Sequence, residues 1–353
     1  MTERRIRVVI VDDSLVAREM LAQILGTDPE IEVVGQAKDG REGTEMVASL
    51  KPDLVTMDIH MPRMDGLAAV EHIMAYTPTP VLVVSSSVHG AGTGRAFDAL
   101  ALGALEVMKK PEPRDWEDLE RIGRDIIRRV KMLSRVKVIT HLSGRKRAGE
   151  KRPAPPIVVP AHATRKQGAL LVAIGSSTGG PSALMTVLCS LPKDFSVPIV
   201  IAQHIAEGFI PGLVEWLDGG CAIAVREAKD GDAPRAGTAY LAPTGRNLQF
   251  DGTAMRFTKP EPGQLYIPSA DTLFSSVGRS LRDRAVGVIL TGMGNDGARG
   301  LKEMRDAGAP TIAQDEATST VFGMPRAAAE LGAASTVLPI QAIGAEVARL
   351  VAR

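Results

Sequence analysis

Residues 6–13 read IRVVIVDD, six positions that are apolar apart from Arg7 and then two aspartates. A run this short, rich in valine and isoleucine and bounded by charge, reads as a strand buried on both faces rather than a helix. Four more runs of the same kind follow it, IEVVGQA (31–37), DLVTMD (53–58), VLVVSS (81–86) and LEVMKK (105–110), each trailed by an amphipathic stretch. Alternating strands and helices make βαβ units, so five of them build a doubly wound parallel sheet with helices on both faces. We place this first α/β domain at residues 1–133.

A second α/β pattern begins at Ala169. ALLVAIG (169–175), VPIVIAQ (197–203) and AVGVILTG (285–292) are near-continuous apolar runs, as central parallel strands require. Helical patterns follow at 181–191 and 298–307. GTAYLAP, NLQFDG and AMRFTK, between residues 237 and 259, read as a short hairpin excursion. The expected second domain covers 169–353. Residues 134–168 carry nine Lys or Arg against the single acid Glu150, with prolines at 153, 155, 156 and 160, and read as a basic tether. Its excess of charge makes it a docking strip for an acidic partner or nucleic acid in a rival reading.

The chain's 353 residues suit two domains, and its net charge of +1 gives no case for nucleic acid as the main target. No apolar stretch is long enough to cross a bilayer, so a cytoplasmic protein is expected. Cys189 and Cys221 lie in no metal-binding or redox spacing and are expected to be buried free thiols.

The chemistry sits at strand ends, where an open α/β sheet forms its ligand crevice. Asp12 and Asp13 close the first strand and Asp58 the third, while Ser85 ends the fourth and Lys110 the fifth. Converging carboxylates repel, and a hard divalent cation such as Mg²⁺ relieves them, leaving positions for phosphoryl oxygens. In the second domain IGSSTGGP (174–181) joins a strand to a helix, with Pro181 suited to its first helical position. It lacks the pattern and the lysine of a phosphate loop and matches G-x-S-x-G, an elbow that exposes Ser177; a plain glycine-rich turn is the bland alternative. Of the six histidines only His204 lies in this domain, directly after its strand, a candidate base for the serine. Asp296, in a glycine-rich loop after AVGVIL, is the candidate third member.

VDDS (11–14), MDIHMPRMDG (57–66), VVSS (83–86) and KKP (109–111) together resemble the receiver domain of response regulators, a flavodoxin-like fold. The resemblance implies that Asp58 accepts a phosphoryl group from a histidine kinase. Asp12, Asp13, Asp58 and the carbonyl of His60 would surround Mg²⁺, with Ser85 and Lys110 contacting the phosphate. The family commonly has an aromatic residue where this chain has Val107, so signalling by repacking between the domains is expected. IGSSTGGP, AQH (202–204), LTGMGNDGA (290–298) and TIAQDEATSTVFGMP (311–325) resemble the Rossmann-like catalytic domain of chemotaxis-specific protein-glutamate methylesterases. That resemblance implies Ser177 as nucleophile, His204 as base, Asp296 as its orienting partner and the Met293 amide in the oxyanion hole; amides at the start of the helix at 181 are expected to join it. It implies hydrolysis of receptor glutamate methyl esters and deamidation of receptor glutamines without a cofactor. It implies methyl-accepting chemotaxis receptors as partners, through which alone the protein would meet the membrane. The chain departs from the family at Ile267, where arginine is common, and after His204, where Met-Pro is frequent. A second domain that only binds a partner, or a DNA-binding regulator, are the rival classes.

Overall fold

The computed structural model describes residues 4–86, 93–138 and 169–352, with backbone alone for 93 and 94. Most of the basic tether, residues 139–168, lies outside the described residues.

The first unit alternates β1 (Ile6–Val11), α1 (Leu15–Gly26), β2 (Ile31–Ala37), α2 (Gly40–Leu50), β3 (Leu54–Met57), α3 (Gly66–Tyr76), β4 (Val81–Ser85), α4 (Thr93–Ala101), β5 (Glu106–Lys109) and α5 (Trp116–Leu133). Its five strands are parallel in the order β2-β1-β3-β4-β5. The alternation within IRVVIV divides the core. Val8 and Ile10 pack on the side of Leu25 from α1 and Ile126 from α5, whereas Val9 and Val11 face Val47, Val70 and Phe97. The helix starts are set by short polar caps: Ser14, Asp39, Asp65 and Asp115 each accept a backbone N–H of the first turn.

The second unit is larger. It runs β6 (Leu171–Ser176), α6 (Gly180–Cys189), β7 (Ile199–Gln203), α7 (Ile210–Gly220), β8 (Ala224–Glu227), β9 (Thr238–Leu241), β10 (Asn247–Phe250), β11 (Met255–Thr258), α8 (Ala270–Leu281), β12 (Ala285–Ile289), α9 (Ala298–Asp306), β13 (Thr311–Gln314), α10 (Met324–Glu330), β14 (Thr336–Leu338) and α11 (Ile340–Val351). Seven strands form one parallel sheet, β14-β13-β12-β6-β7-β9-β8. Val172, Ile174 and Ile201 pack under α6 and α7, while Ala173, Val200 and Ile289 pack under α8 and α9 through Phe274 and Leu301. Both units are thus doubly wound parallel sheets, as the two periodic patterns imply.

One expectation needs correction. Only NLQF and MRFT form the antiparallel hairpin, β10 with β11. TAYL, as β9, instead joins the main sheet between β7 and β8, its Ala239 and Leu241 fully buried. Burial of those two alternate side chains anchors it there, which a four-residue run cannot signal by itself. Pro181 is also the second rather than the first helical residue of α6.

The two units meet where α4 packs against α7. The buried Phe97 ring stands edge-on to Phe209 at 6.0 Å between centroids and lies 6.0 Å from Trp216, joining the apolar cores of both units.

Candidate functional site

Each sheet reverses its strand order beside one central strand, and polar residues gather at both reversals. In the first unit the reversal lies between β1 and β3, so Asp12 and Asp58 leave their strands side by side. One oxygen from each of Asp12, Asp13 and Asp58 falls within a single 4.8 Å cluster. Lys110 Nζ lies 2.7 Å from Asp12 Oδ2 and 3.0 Å from Asp58 Oδ2. The Ile59 amide donates to Asp58 Oδ1 at 2.8 Å. Burial raises the Asp58 carboxyl above the usual range, Lys110 opposes this, and the neighbouring Asp12 charge adds to it. The Lys110 ammonium also loses hydration, yet its bonds to both aspartates hold its proton more tightly than usual.

The donor set fits Mg²⁺. Lys110 reaches only two of the three carboxylates, which leaves an excess of negative charge, and all ligand atoms are hard oxygens. Ser85 is fully buried at the end of β4.

In the second unit β6 is the central strand, with β12 on one side and β7 on the other. Ser177 follows β6, His204 follows β7, and Asp296 lies seven residues beyond Ile289, the last of β12. The adjacent serines have different fates. Ser176 is fully buried and donates to Gln203 Oε1 at 2.6 Å, whereas Ser177 is half-buried at the turn. Gly179, in the left-handed region at φ 75°, closes the elbow ahead of α6, a conformation that costs an L-residue about 1–2 kcal/mol. Gly292 permits the close approach from the neighbouring loop: a Cβ there would stand 2.7 Å from Ser177 Cβ.

Gln203 ties the nucleophile strand to the base strand. Its amide nitrogen donates to the carbonyls of Ser177 at 2.9 Å and His204 at 2.8 Å. The His204 ring reaches Asp296, with Nε2 2.8 Å from Oδ2. Because a carboxylate only accepts, Nε2 carries the hydrogen in the neutral ring, and Nδ1 is the basic nitrogen. Nδ1 is buried and has no hydrogen-bond partner among the described residues. No bond joins Ser177 Oγ to it here, a common state of a site before substrate aligns the pair.

Asp296 is itself held by the start of α8. The Ala270 amide donates to Oδ2 at 2.6 Å, and the Ser269 hydroxyl and Asp271 amide donate to Oδ1 at 2.9 Å and 3.2 Å. Burial would raise this carboxyl, but the His204 bond and charge, with the two amides, outweigh it and hold the group below the usual range. Tyr266 stacks flat on the His204 ring, centroids 5.0 Å apart and planes 15° from parallel. A polar cavity of about 760 Å³ opens beside Asp296, bordered by Lys259, Tyr266, Asn295 and Arg299.

The Met293 amide has no hydrogen-bond partner among the described residues. The start of α6 is a poorer donor than the sequence implies. The Gly180 amide is already engaged by the Ser177 carbonyl at 2.7 Å, and Pro181 has no N–H.

Sequence reasoning missed Gln203, Tyr266 and Ser269. Ser269 alone carried a local signal, a serine before an apolar helical pattern with Asp271 in its first turn. The expected burial of both cysteines is also corrected. Cys189 is exposed and Cys221 half-buried, because they end α6 and α7 at the surface. Among the described residues no helix is long and apolar enough to cross a membrane.

Residues 172–347 match the family described as CheB methylesterase, and residues 8–119 match the response regulator receiver domain. The chain is 47% identical over 341 residues to protein-glutamate methylesterase/protein-glutamine glutaminase 2 of Anaeromyxobacter dehalogenans strain 2CP-C, covering 97% of this chain and 96% of that one. It is 44% identical to protein-glutamate methylesterase/protein-glutamine glutaminase 1 of Syntrophus aciditrophicus strain SB, over 98% of each chain. Among solved structures, the Thermotoga maritima CheB methylesterase catalytic domain is 35% identical, with a TM-score of 0.50 over 52% of this chain and 100% of that domain.

Proposed function

Because the chain belongs to the protein-glutamate methylesterase/protein-glutamine glutaminase family, we propose that it removes methyl esters from glutamates of methyl-accepting chemotaxis receptors and deamidates receptor glutamines, under control of phosphorylation at Asp58. Residues 1–133 receive the phosphoryl group from a histidine kinase, 134–168 tether, and 169–353 catalyse. The observation that carries the catalytic reading is the His204 to Asp296 bond, which leaves Nδ1 as the basic nitrogen, without a hydrogen-bond partner among the described residues and free to serve the elbow serine.

Ser177 Oγ passes its proton to His204 Nδ1 and attacks the ester carbonyl. Asp296, fixed by Ser269 and the amides of Ala270 and Asp271, keeps the imidazole in the productive tautomer and stabilises the imidazolium. The Met293 amide stabilises the oxyanion, a contribution of about 10²–10³ in turnover for one donor of this kind. His204 returns the proton to methanol as it leaves. Water then enters, gives a proton to His204 and attacks the acyl carbon, and His204 returns that proton to Ser177 Oγ as the acyl bond breaks and the glutamate is released. With a glutamine substrate the same steps release ammonia. The hydrolysis uses no cofactor in this scheme.

In the receiver, Asp12, Asp13, Asp58 and the His60 carbonyl would hold Mg²⁺, which would supply charge neutralisation for the incoming phosphoryl group. Lys110 pairs with the phosphate and the Ser85 hydroxyl contacts it. Signal passes through the α4 to α7 contact, since Val107 provides no aromatic switch on β5. The test compares methanol release from methylated receptor membranes with and without a small-molecule phosphodonor and Mg²⁺. Wild type is expected to be stimulated, and Asp58→Asn to keep its basal rate without stimulation. Equal stimulation of both would refute Asp58 as acceptor.

A further inference from the structure

The chain's two cysteines, 32 residues apart, meet at the C-terminal ends of two neighbouring helices: Cys189 is the last residue of α6 and Cys221 caps α7. Their sulfurs lie 2.7 Å apart. Non-bonded atoms of this size class rest at about 3.5–4.0 Å, so the two thiols are pressed well inside contact distance. A metal site is a poor account of this. Zn–S bonds of about 2.3 Å in tetrahedral array hold thiolates about 3.8 Å apart, farther than these sulfurs stand. The third nearby sulfur, Met185 Sδ, is 3.2 Å from Cys189 Sγ and 3.8 Å from Cys221 Sγ, which closes one side of the pair with an apolar thioether.

The two thiols are unequal. Cys189 is exposed, so a small oxidant reaches it directly. Cys221 is half-buried; burial first, and then the adjacent Cys189, push its thiol far above the ordinary range, so it stays protonated as the second partner. A pair of this kind, partly open to solvent at helix ends, belongs to the labile class of disulfides rather than the structural one.

We propose that Cys189 and Cys221 form a reversible thiol-modification site, closing to an intramolecular disulfide on exposure to hydroperoxides. The Cys189 thiolate attacks one oxygen of hydrogen peroxide and breaks the O–O bond, giving a sulfenic acid and hydroxide, which takes up a proton to leave as water, or as the alcohol from an alkyl hydroperoxide. Cys221 sulfur then attacks the sulfenic sulfur, its proton leaving with the expelled hydroxyl as a second water. Two thiols are oxidised by two electrons and one peroxide is reduced, and a dithiol reductant reverses the bridge by exchange. The bridge ties α6, which follows Ser177, to α7, whose Phe209 side receives Phe97 of the first unit.

The test treats the reduced full-length chain with hydrogen peroxide, alkylates it with iodoacetamide under denaturing conditions and maps its peptides by mass. The expected result is loss of both alkylatable thiols, a linked Cys189–Cys221 peptide pair within one chain, and recovery of both thiols with dithiothreitol. In Cys221→Ser, Cys189 is expected to halt as the sulfenic acid and be captured by dimedone. Thiols that stay alkylatable, Cys189 over-oxidised without a link in the wild-type chain, bridges only between chains, or zinc retained by the untreated protein with both thiols protected would each overturn the proposal.

Discussion

Removing the hydroxyl of Ser269 separates the positioning of the candidate triad from the stability of the helix that supplies it. That hydroxyl donates to Asp296 Oδ1 at 2.9 Å and also accepts the Thr272 amide as the cap of α8. Ser269→Gly keeps most of the capping preference, since glycine at that position costs only a few tenths of a kcal/mol, while Ser269→Ala gives up about 1 kcal/mol of it. Both variants lose the bond to the carboxylate, and a hydrogen bond to a charged group is worth about 1.5–3 kcal/mol. If all of that loss appeared in the transition state, turnover would fall about 10- to 150-fold. The amides of Ala270 and Asp271 and the His204 ring still hold Asp296, so the lower end, about 10-fold, is expected. The assay is methanol release under saturating methylated receptor, beside urea unfolding of the same preparations. The two variants should share one kcat and differ in midpoint, alanine lower. Wild-type kcat in both, with the midpoints still falling, would show that Asp296 does not act through its orientation.

Gly292→Ala places a Cβ 2.7 Å from Ser177 Cβ, and displacement of a nucleophile by such a contact costs about 100-fold in turnover; circular dichroism should be unchanged, and full activity would refute the close packing at the elbow. Phe97→Leu removes the edge-on ring contact to Phe209 and the tilted one to Trp216, worth about 0.5–1.5 kcal/mol each. Basal methanol release without phosphodonor should rise towards the stimulated rate, whereas an unchanged basal rate would detach that contact from control. Asp296 gives a pH signature. Its carboxyl is held below the usual carboxylate range, so its stabilisation is complete above the ordinary aspartate pKa and is lost as pH falls through the lower folded one. Acid titration of stability should therefore be steeper below pH 4 or so in wild type than in Asp296→Asn, and identical slopes would contradict the bonding of that carboxylate.

How much of this was legible in the sequence follows from where each signal resides. IRVVIVDD reports its own burial on both faces and puts Asp12 and Asp13 at a strand end, so the first sheet and its acidic rim follow from local pattern alone. Ser177 and His204 were legible for the same reason, as each stands immediately beyond an apolar run. The choice of Ser177 over Ser176 gains its physical reason only in three dimensions, where Ser176 is locked on Gln203. Tyr266 owes its place against His204 to a loop that returns from the β10–β11 hairpin, and no spacing announces such a stacking. TAYL was misassigned because four residues cannot distinguish a hairpin arm from a parallel strand whose partners, β7 and β8, lie elsewhere in the chain. Cysteine's general tendency to be buried misleads for these two thiols; their meeting depends on two helices ending side by side.

The central claim is that Ser177, and not its neighbour, carries the ester hydrolysis. Methanol release from methylated receptor membranes by phosphodonor-activated full-length protein tests it directly. Ser177→Ala should release no methanol above the enzyme-free control. Ser176→Ala leaves Gln203 Oε1 without its donor and should lose about 1–3 kcal/mol of stability while retaining substantial activity. Methanol release by Ser177→Ala at the wild-type rate, or its abolition in a folded Ser176→Ala, would contradict the account.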